Sequence, residues 1–382
     1  MADVVVIGAG ISGAATAYEL ATAGTKVVLI DRFAPAAMAS GWTLAGVRQS
    51  GRHPAEWPLA KAAVARWADL DARLDGATHY RRGGNLRCAR DETEAARIRT
   101  LVEAQRTDGF DIALIEGDDI PAIAPLVSPE VVCASFCATD GHADPIATVG
   151  SYVAAAQRLG VTARFGERVT SVMVENGAVT GVVTDKGRVA AAAVVVAAGV
   201  FGNELLDPLG LHVPFETMSA TMIRSVAIPQ QLDPVVGVAN GDTTARQEAQ
   251  GEIRFGGGHE TWDGTMSEDP LPSVRPGAAS IRDLLARLTS LLPAFADLRI
   301  DRAWCGLIDQ TPDAIPVIEA FDAPRGLVVA MGFSGHGFCL GPVTGQILAA
   351  LALGFPSPLP IEPFRRARFA AVSAKETVEL HG

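Results

Sequence analysis

The sequence is poor in cysteine, in positive charge and in long apolar runs. Its five cysteines, Cys88, Cys133, Cys137, Cys305 and Cys339, are scattered over 382 residues. An odd, sparse set does not make a disulfide framework, and reduced thiols in a cytoplasm fit it. Cys133 and Cys137 stand four apart with no histidine or further cysteine at zinc-ligand spacing, so they read as small buried hydrophobes and no metal is expected. Lys and Arg number 32 against 43 Asp and Glu, a net charge of −11 with no basic block, which excludes a nucleic-acid groove. The longest nearly uncharged stretch, Val189 to Phe201, is about half of what a membrane-spanning helix needs and contains Gly199. Met1-Ala2-Asp3 runs into Val4–Ile7 without a basic segment, so no secretory signal is expected.

Glycine and apolar residues are plentiful: 39 Gly and 48% hydrophobic residues beside 20% charged ones. That is globular composition, long enough for two or three domains without staples. The chain opens with the apolar run Val4–Ile7, the turn Gly8-Ala9-Gly10-Ile11-Ser12-Gly13, a helical run to Gly24, and a second buried-strand pattern, Lys26 to Asp31. In Gly8-x-Gly10-x-x-Gly13 the first glycine makes the turn, the second admits a pyrophosphate to backbone amides, and the third lets helix and strand pack closely. Asp31, 18 residues past Gly13, stands where a carboxylate accepts a ribose hydroxyl and disfavours a 2′-phosphate, although Arg32 follows it. A dinucleotide is therefore expected, with the N-terminus of the helix facing its phosphates.

Further along, helical spacing covers Leu59–Leu74, Thr93–Thr107 and Asp144–Leu159, with a strand at Tyr80–Ala89 kinked at Gly83-Gly84. Asn176-Gly177 between apolar runs predicts a hairpin within Gly166–Val183, and Ala190–Ala198 predicts a buried parallel strand. Strand-like pieces fill Glu216 to Trp304, where the stretch Pro270–Pro276 precedes a helix near Ile281–Leu292. The strand, glycine turn and helix order then returns in Val328–Met331, Gly332–Gly341 and Val343–Leu353.

Six blocks in order resemble the D-amino-acid oxidase and glycine oxidase superfamily of FAD enzymes, nearest in pattern to the sarcosine oxidases, over nearly the whole chain. They are the N-terminal fingerprint, Ser40-Gly41-Trp42-Thr43-Leu44-Ala45-Gly46-Val47-Arg48, Asp140 to Pro145, Val194 to Gly199, Trp304 to Asp313, and Gly332-Phe333-Ser334-Gly335-His336-Gly337-Phe338. The resemblance implies an α/β plus α+β protein: a Rossmann-like FAD-binding domain from 1–80, 141–215 and 320–382, interleaved with a substrate domain from 81–140 and 216–319 built on a mostly antiparallel sheet. It implies FAD contacts at Gly8, Gly10, Ile11, Ser12, Gly13, Asp31, Arg32, Ser40, Gly46, Val47, Val169, Ala198, Gly199, Gly306, Gly332, Ser334, Gly335, His336, Gly337 and Phe338. It makes Arg48 the holder of a substrate carboxylate, for which the guanidinium fork is suited, and His259 an active-site histidine.

Departures from the family pattern sharpen the expectation. Thr43 and Ala45 stand where relatives more often have Asn and Gly. Ile308 replaces an arginine or tyrosine and Cys339 a carboxylate-binding lysine, so a more apolar pocket for a bulkier amine is expected. The flavin-tethering cysteine of sarcosine oxidases aligns with Gly306 rather than Cys305, so FAD is expected to be non-covalent. Phe255 occupies the place of an oxygen-activating lysine, which leans toward a dehydrogenase, mildly because Arg254 adjoins it.

The expected activity is oxidation of the C–N bond of an amino acid or N-substituted amino acid by hydride transfer to flavin, the imine then hydrolysing. Three alternatives stay open. They are an FAD-dependent 2-hydroxy-acid dehydrogenase of the same fold, the flavin subunit of a hetero-oligomeric dehydrogenase with an electron-accepting partner, and a non-catalytic FAD-binding protein.

Overall fold

The computed structural model of the protein describes residues 2–269 and 271–371. Met1, Pro270 and the stretch 372–382 of the expected FAD domain lie outside the described residues. Near-continuous apolar runs bury both faces of a strand, and four of them form the centre of the first sheet. Leu327–Met331, Gly187–Val196, Ala2–Ile7 and Val27–Asp31 lie side by side in parallel, with Thr162–Phe165 beyond them and Val317–Ala320 antiparallel at the opposite edge. The helices Ile11–Thr22, Pro145–Arg158 and Gly337–Ala352 cover one face. The other face packs on the antiparallel hairpin Val169–Glu175 and Ala178–Thr184, which turns at Asn176-Gly177 as its dipeptide predicts. Ile7 pairs with both Ile30 and Val196, so the three strands end level and feed Gly8, Asp31 and Ala197 into one crevice, where open α/β sheets bind ligands.

Part of the glycine content serves helix packing. A side chain at Gly341 would begin 2.2 Å from Ile11 Cγ1, and one at Gly345 2.5 Å from Ala15 Cβ. The last helix is thereby seated tightly on the first.

The second sheet orders its strands Ile300–Gln310, Glu216–Ala227, Glu252–Thr261, Thr244–Gln247, Val235–Val238, Asn85–Ala89, Cys133–Cys137 and Ala113–Glu116. Every pair is antiparallel except Val235–Val238 with Asn85–Ala89. Its strands alternate: Leu86, Ile223, Val236, Ala245, Ile253 and Phe255 bury one face beneath the helix Ala278–Leu291, and the intervening residues turn toward the first layer.

The structure differs from sequence expectation at three places. The helical run Leu59–Leu74 is two helices, Trp57–Trp67 and Leu70–Leu74, broken at Ala68-Asp69. The strand expected from Tyr80 begins at Asn85, because Gly84 sits at φ +88° and Gly83 packs against the Asp233 carbonyl. The final helix starts at Gly337, not Val343, and carries Pro342 inside it.

Candidate active site

The crevice is built from backbone before side chains. Gly8 has φ +104°, and a Cβ there would lie 2.3 Å from the Ala197 carbonyl oxygen. A Cβ at Gly13 would lie 1.8 Å from the Gly8 oxygen, so Gly13 seats the helix on the strand. Ile11 N–H donates to Ser40 Oγ at 2.9 Å, while the amides of Gly10 and Ser12 have no partner among the described residues. Asp31 accepts from the amides of Ala9 at 2.6 Å and Phe33 at 2.7 Å. Burial raises its carboxyl, and those two amides pull it back. Arg32 is already committed, donating to Glu204 at 2.8 Å with its guanidinium 4.1 Å from the Phe201 ring.

These groups line a cavity of about 260 Å³ that passes from Asp31, Arg32, Glu167 and Val169 at one end to Gly306 and Ile308 at the other. Gly8, Gly10, Ile11, Ser12, Ser40, Ala198, Gly199, Gly335, Gly337 and Phe338, all expected as FAD contacts, also line it. Gly13, Val47 and Gly332 line neither this cavity nor the adjoining one. Gly13 and Val47 act from beneath, Val47 being fully buried and paired with Gly141. Gly332 N–H donates to Asp309 Oδ2 at 2.6 Å. Burial pushes the Asp309 carboxyl up to about 6 against that amide and its neighbours. Cys305 packs with Val274 and Leu307 and lines neither this cavity nor the adjoining one.

Gly46, Ser334 and His336 belong instead to a second cavity of about 180 Å³, which shares Thr43, Leu44, Ala220, Met222, Ile308, Gly335 and Phe338 with the first. Arg48 and His259 also line it, so the two expected substrate residues come together. His259 is exposed, at the end of strand Glu252–Thr261, and partial burial lowers its imidazole. Cys339 and Ile308 contribute the expected apolar wall, but Asn85, Asn240, Thr244 and Arg52 make the other side polar.

Arg48 is fastened by its own loop, its guanidinium donating to the Ser50 carbonyl. Asp140 holds that loop by accepting from the amides of Gln49 at 2.9 Å and Ser50 at 3.2 Å and from Ser50 Oγ. Arg48 Nη1 and Arg87 Nη1 lie 3.0 and 2.7 Å from the point where a Gly51 side chain would begin. Burial, then Arg52 and Arg87, push the Arg48 guanidinium well below its ordinary value, with Asp140 opposing. Burial and Arg52 bring Arg87 down to about 10. Beside them His336 Nδ1 is 3.4 Å from Glu56 Oε1, and neither of the two buried side chains has a hydrogen bond among the described residues. Burial drives His336 down to about 4 although Glu56 opposes it; burial raises Glu56, but His336 and Arg52 outweigh it and hold the carboxyl low.

Sequence reasoning missed Glu56, Asn85 and Arg87. Asn85-Leu86-Arg87-Cys88 alternates polar and apolar, the signal of a half-buried strand, but nothing local says that its polar face meets a site. It also misjudged Phe255, whose side chain lies in the core under Ala278–Leu291. Arg254 next to it turns toward the first layer and bonds the Thr43 carbonyl, so Phe255 carries no information about oxygen reactivity.

A cradle of unpaired amides at a helix N-terminus, a glycine turn with no room for side chains, and a buried carboxylate beyond it fit a flavin dinucleotide. The family described as FAD dependent oxidoreductase (DAO) matches residues 3–351. The uncharacterized oxidoreductase YurR of Bacillus subtilis (strain 168) is 30% identical over 378 residues, covering 95% of this chain and 98% of that protein. Glycine oxidase of Bacillus licheniformis is 26% identical over 382 residues, covering 97% and 98%. The solved structure of L-proline dehydrogenase from P. horikoshii superposes with a TM-score of 0.89 at 27% identity, covering 97% of this chain and 98% of that one. Among the described residues no helix is long and apolar enough to cross a membrane, and no group of three or more His, Cys, Asp or Glu could hold a metal. The chain is therefore an enzyme of the DAO family of oxidoreductases, and its cofactor is FAD.

Proposed function

We propose that the protein oxidises the C–N bond of an amino acid or N-substituted amino acid that carries one carboxylate. The observation that carries this reading is that Arg48 and His259 line one cavity, which shares Thr43, Leu44 and Ile308 with the cavity that fits FAD. Arg48 stands beside Arg52 and Arg87, and a substrate carboxylate there would pair with a guanidinium fork and ease their mutual repulsion. The adjoining FAD, when bound, accepts the hydride and leaves an imine that water hydrolyses. Arg48 then holds the carboxylate, Ile308 and Cys339 exclude water from one side, and His259 stands at the mouth in its neutral form.

The relatives support an amine over a 2-hydroxy acid, since two of them are named for glycine and proline. Cys305, away from both cavities, supports non-covalent FAD. Five buried, unbridged cysteines support a reducing compartment. Membership of the two sheets supports the interleaved division into an FAD domain and a substrate domain, except that strand Val317–Ala320, expected mostly in the substrate domain, pairs in the first sheet.

The test is anaerobic bleaching of the bound flavin by a panel of D-, L- and N-alkyl amino acids set against 2-hydroxy acids. Bleaching by a monocarboxylic amine is expected, and bleaching by hydroxy acids alone would overturn the reading. Readmitting oxygen then separates an oxidase from a dehydrogenase that hands electrons to a partner protein.

A further inference from the structure

Three consecutive carbonyls of the loop between the layers are each held by a side chain of the second sheet. Trp42 O accepts from Trp304 Nε1 at 2.9 Å, Thr43 O from Arg254 Nη1 at 2.9 Å, and Leu44 O from Arg246 Nε. The three donors come from three different strands, Ile300–Gln310, Glu252–Thr261 and Thr244–Gln247. They brace one another. Glu248 accepts from both arginines, and the Trp304 ring is in cation–π reach of the guanidiniums of Arg254, at 5.2 Å, and Arg302, at 4.9 Å. Arg246 Nη1 also meets His142 Nδ1 at 3.0 Å, where burial and Arg246 itself keep the imidazole neutral and able to accept. Arg246 and Arg254 are 2% and 3% exposed, so these bonds are made out of water, where loss of a partner is costly.

In a trans peptide the N–H points opposite to the carbonyl of the preceding residue. Holding carbonyls 42 to 44 to the second sheet therefore turns amides 43 to 45 the other way. Ala45 N–H is taken by Thr43 Oγ1 at 3.2 Å. The amides of Thr43 and Leu44 have no partner among the described residues, and both residues line both cavities.

We propose that Arg246, Arg254 and Trp304 are positioning residues for the cofactor, clamping the loop so that the Thr43 and Leu44 amides face the junction of the two cavities as hydrogen-bond donors to the redox end of FAD. The inference rests on placing that end of FAD at the junction. Preorganised donors there favour the extra negative charge of the reduced cofactor, so the clamp also bears on how easily it is reduced.

The test dilutes the full-length holoenzyme and follows released FAD by its fluorescence, with ADP as a competitor that probes only the nucleotide end. Trp304→Phe removes one N–H and keeps the ring; Arg254→Met removes the guanidinium; Arg254→Lys keeps a donor. We expect the Kd for FAD to rise roughly tenfold in Arg254→Met and less in Trp304→Phe, the loss of one or two hydrogen bonds, with Arg254→Lys partly restored. The Kd for ADP should stay unchanged, and the flavin of both weakened variants should be harder to reduce. An unchanged Kd for FAD, or FAD and ADP weakening together as in a folding defect, would overturn the clamp. Equal affinity of the parent enzyme for FAD and ADP would instead overturn the placement of the redox end.

Discussion

The two ends of the site are made differently. The nucleotide end uses backbone amides from one short stretch, Gly8 to Ser12, with Asp31 and Ser40 tying them down. The proposed substrate end uses charged side chains brought together from far apart: Arg48, Arg52 and Glu56, then Arg87, Asp140 and His336. A backbone site tolerates most side chains but no change in turn geometry, whereas a side-chain site depends on residue identity while its loops hold.

That contrast can be broken first at the turn. Gly13→Ala should abolish FAD retention, because the new methyl would overlap the Gly8 carbonyl, from which it would be 1.8 Å away; a yellow, thermally stable variant would refute this. Arg48→Ala should do the reverse. FAD retention stays as in the parent enzyme, while KM for a bleaching amino acid rises roughly a hundredfold, the size of one lost charge-assisted pair. Steady-state kinetics beside flavin quantitation read both.

The buried histidine gives a smaller, pH-dependent effect. Its folded value of about 4 lies below the ordinary 6.5, so the folded state binds fewer protons between these values. The stability this group contributes is present above pH 6.5 and is lost as pH falls through about 4. His336→Asn should therefore lose less stability than the parent across that window, by on the order of 2 kcal/mol in urea unfolding at pH 4 against pH 7. Asp309, pushed up to about 6, works in the opposite sense below pH 6, so the difference between variant and parent is the quantity to measure. Parallel stability curves would remove His336 from the buried charge balance. The smallest effect belongs to Ala45, buried at φ +61°. Ala45→Gly should raise stability by about 0.5 kcal/mol, relief of the left-handed backbone exceeding the entropy that glycine adds to the unfolded chain; a lower melting temperature would contradict it.

The same contrast explains how far the sequence could be read. The nucleotide end is written within some thirty residues, as a strand, a spaced set of glycines, a helix and an acid, and each sign has a local physical cause. The hairpin at Asn176-Gly177 is legible for the same reason. The charged end is legible only in part. Arg48 could be named from a motif, but Arg87 needs the parallel pairing of Asn85–Ala89 with Val235–Val238, and Glu56 needs the last helix to bring His336 against it. Alternation on Ile253-Arg254-Phe255 says that Ile253 and Phe255 share one face and Arg254 takes the other; only the stacking of the layers says that Ile253 and Phe255 enter the core and that Arg254 meets the Thr43 carbonyl. Pro342 within a helix and the break at Ala68 are cases where packing overrides local preference.

Asp140 has one more consequence. It stands where the chain returns from the second sheet to the first layer, just before Gly141-His142, which pair with Gly46-Val47. The same side chain fastens the loop carrying Arg48. Connector and proposed substrate anchor are thus one mechanical part: a hinge at this crossing could not flex without dragging the Arg48 loop with it. With Arg48 as the proposed holder of the substrate carboxylate, opening the molecule like a clam at this crossing would unmake the proposed binding site.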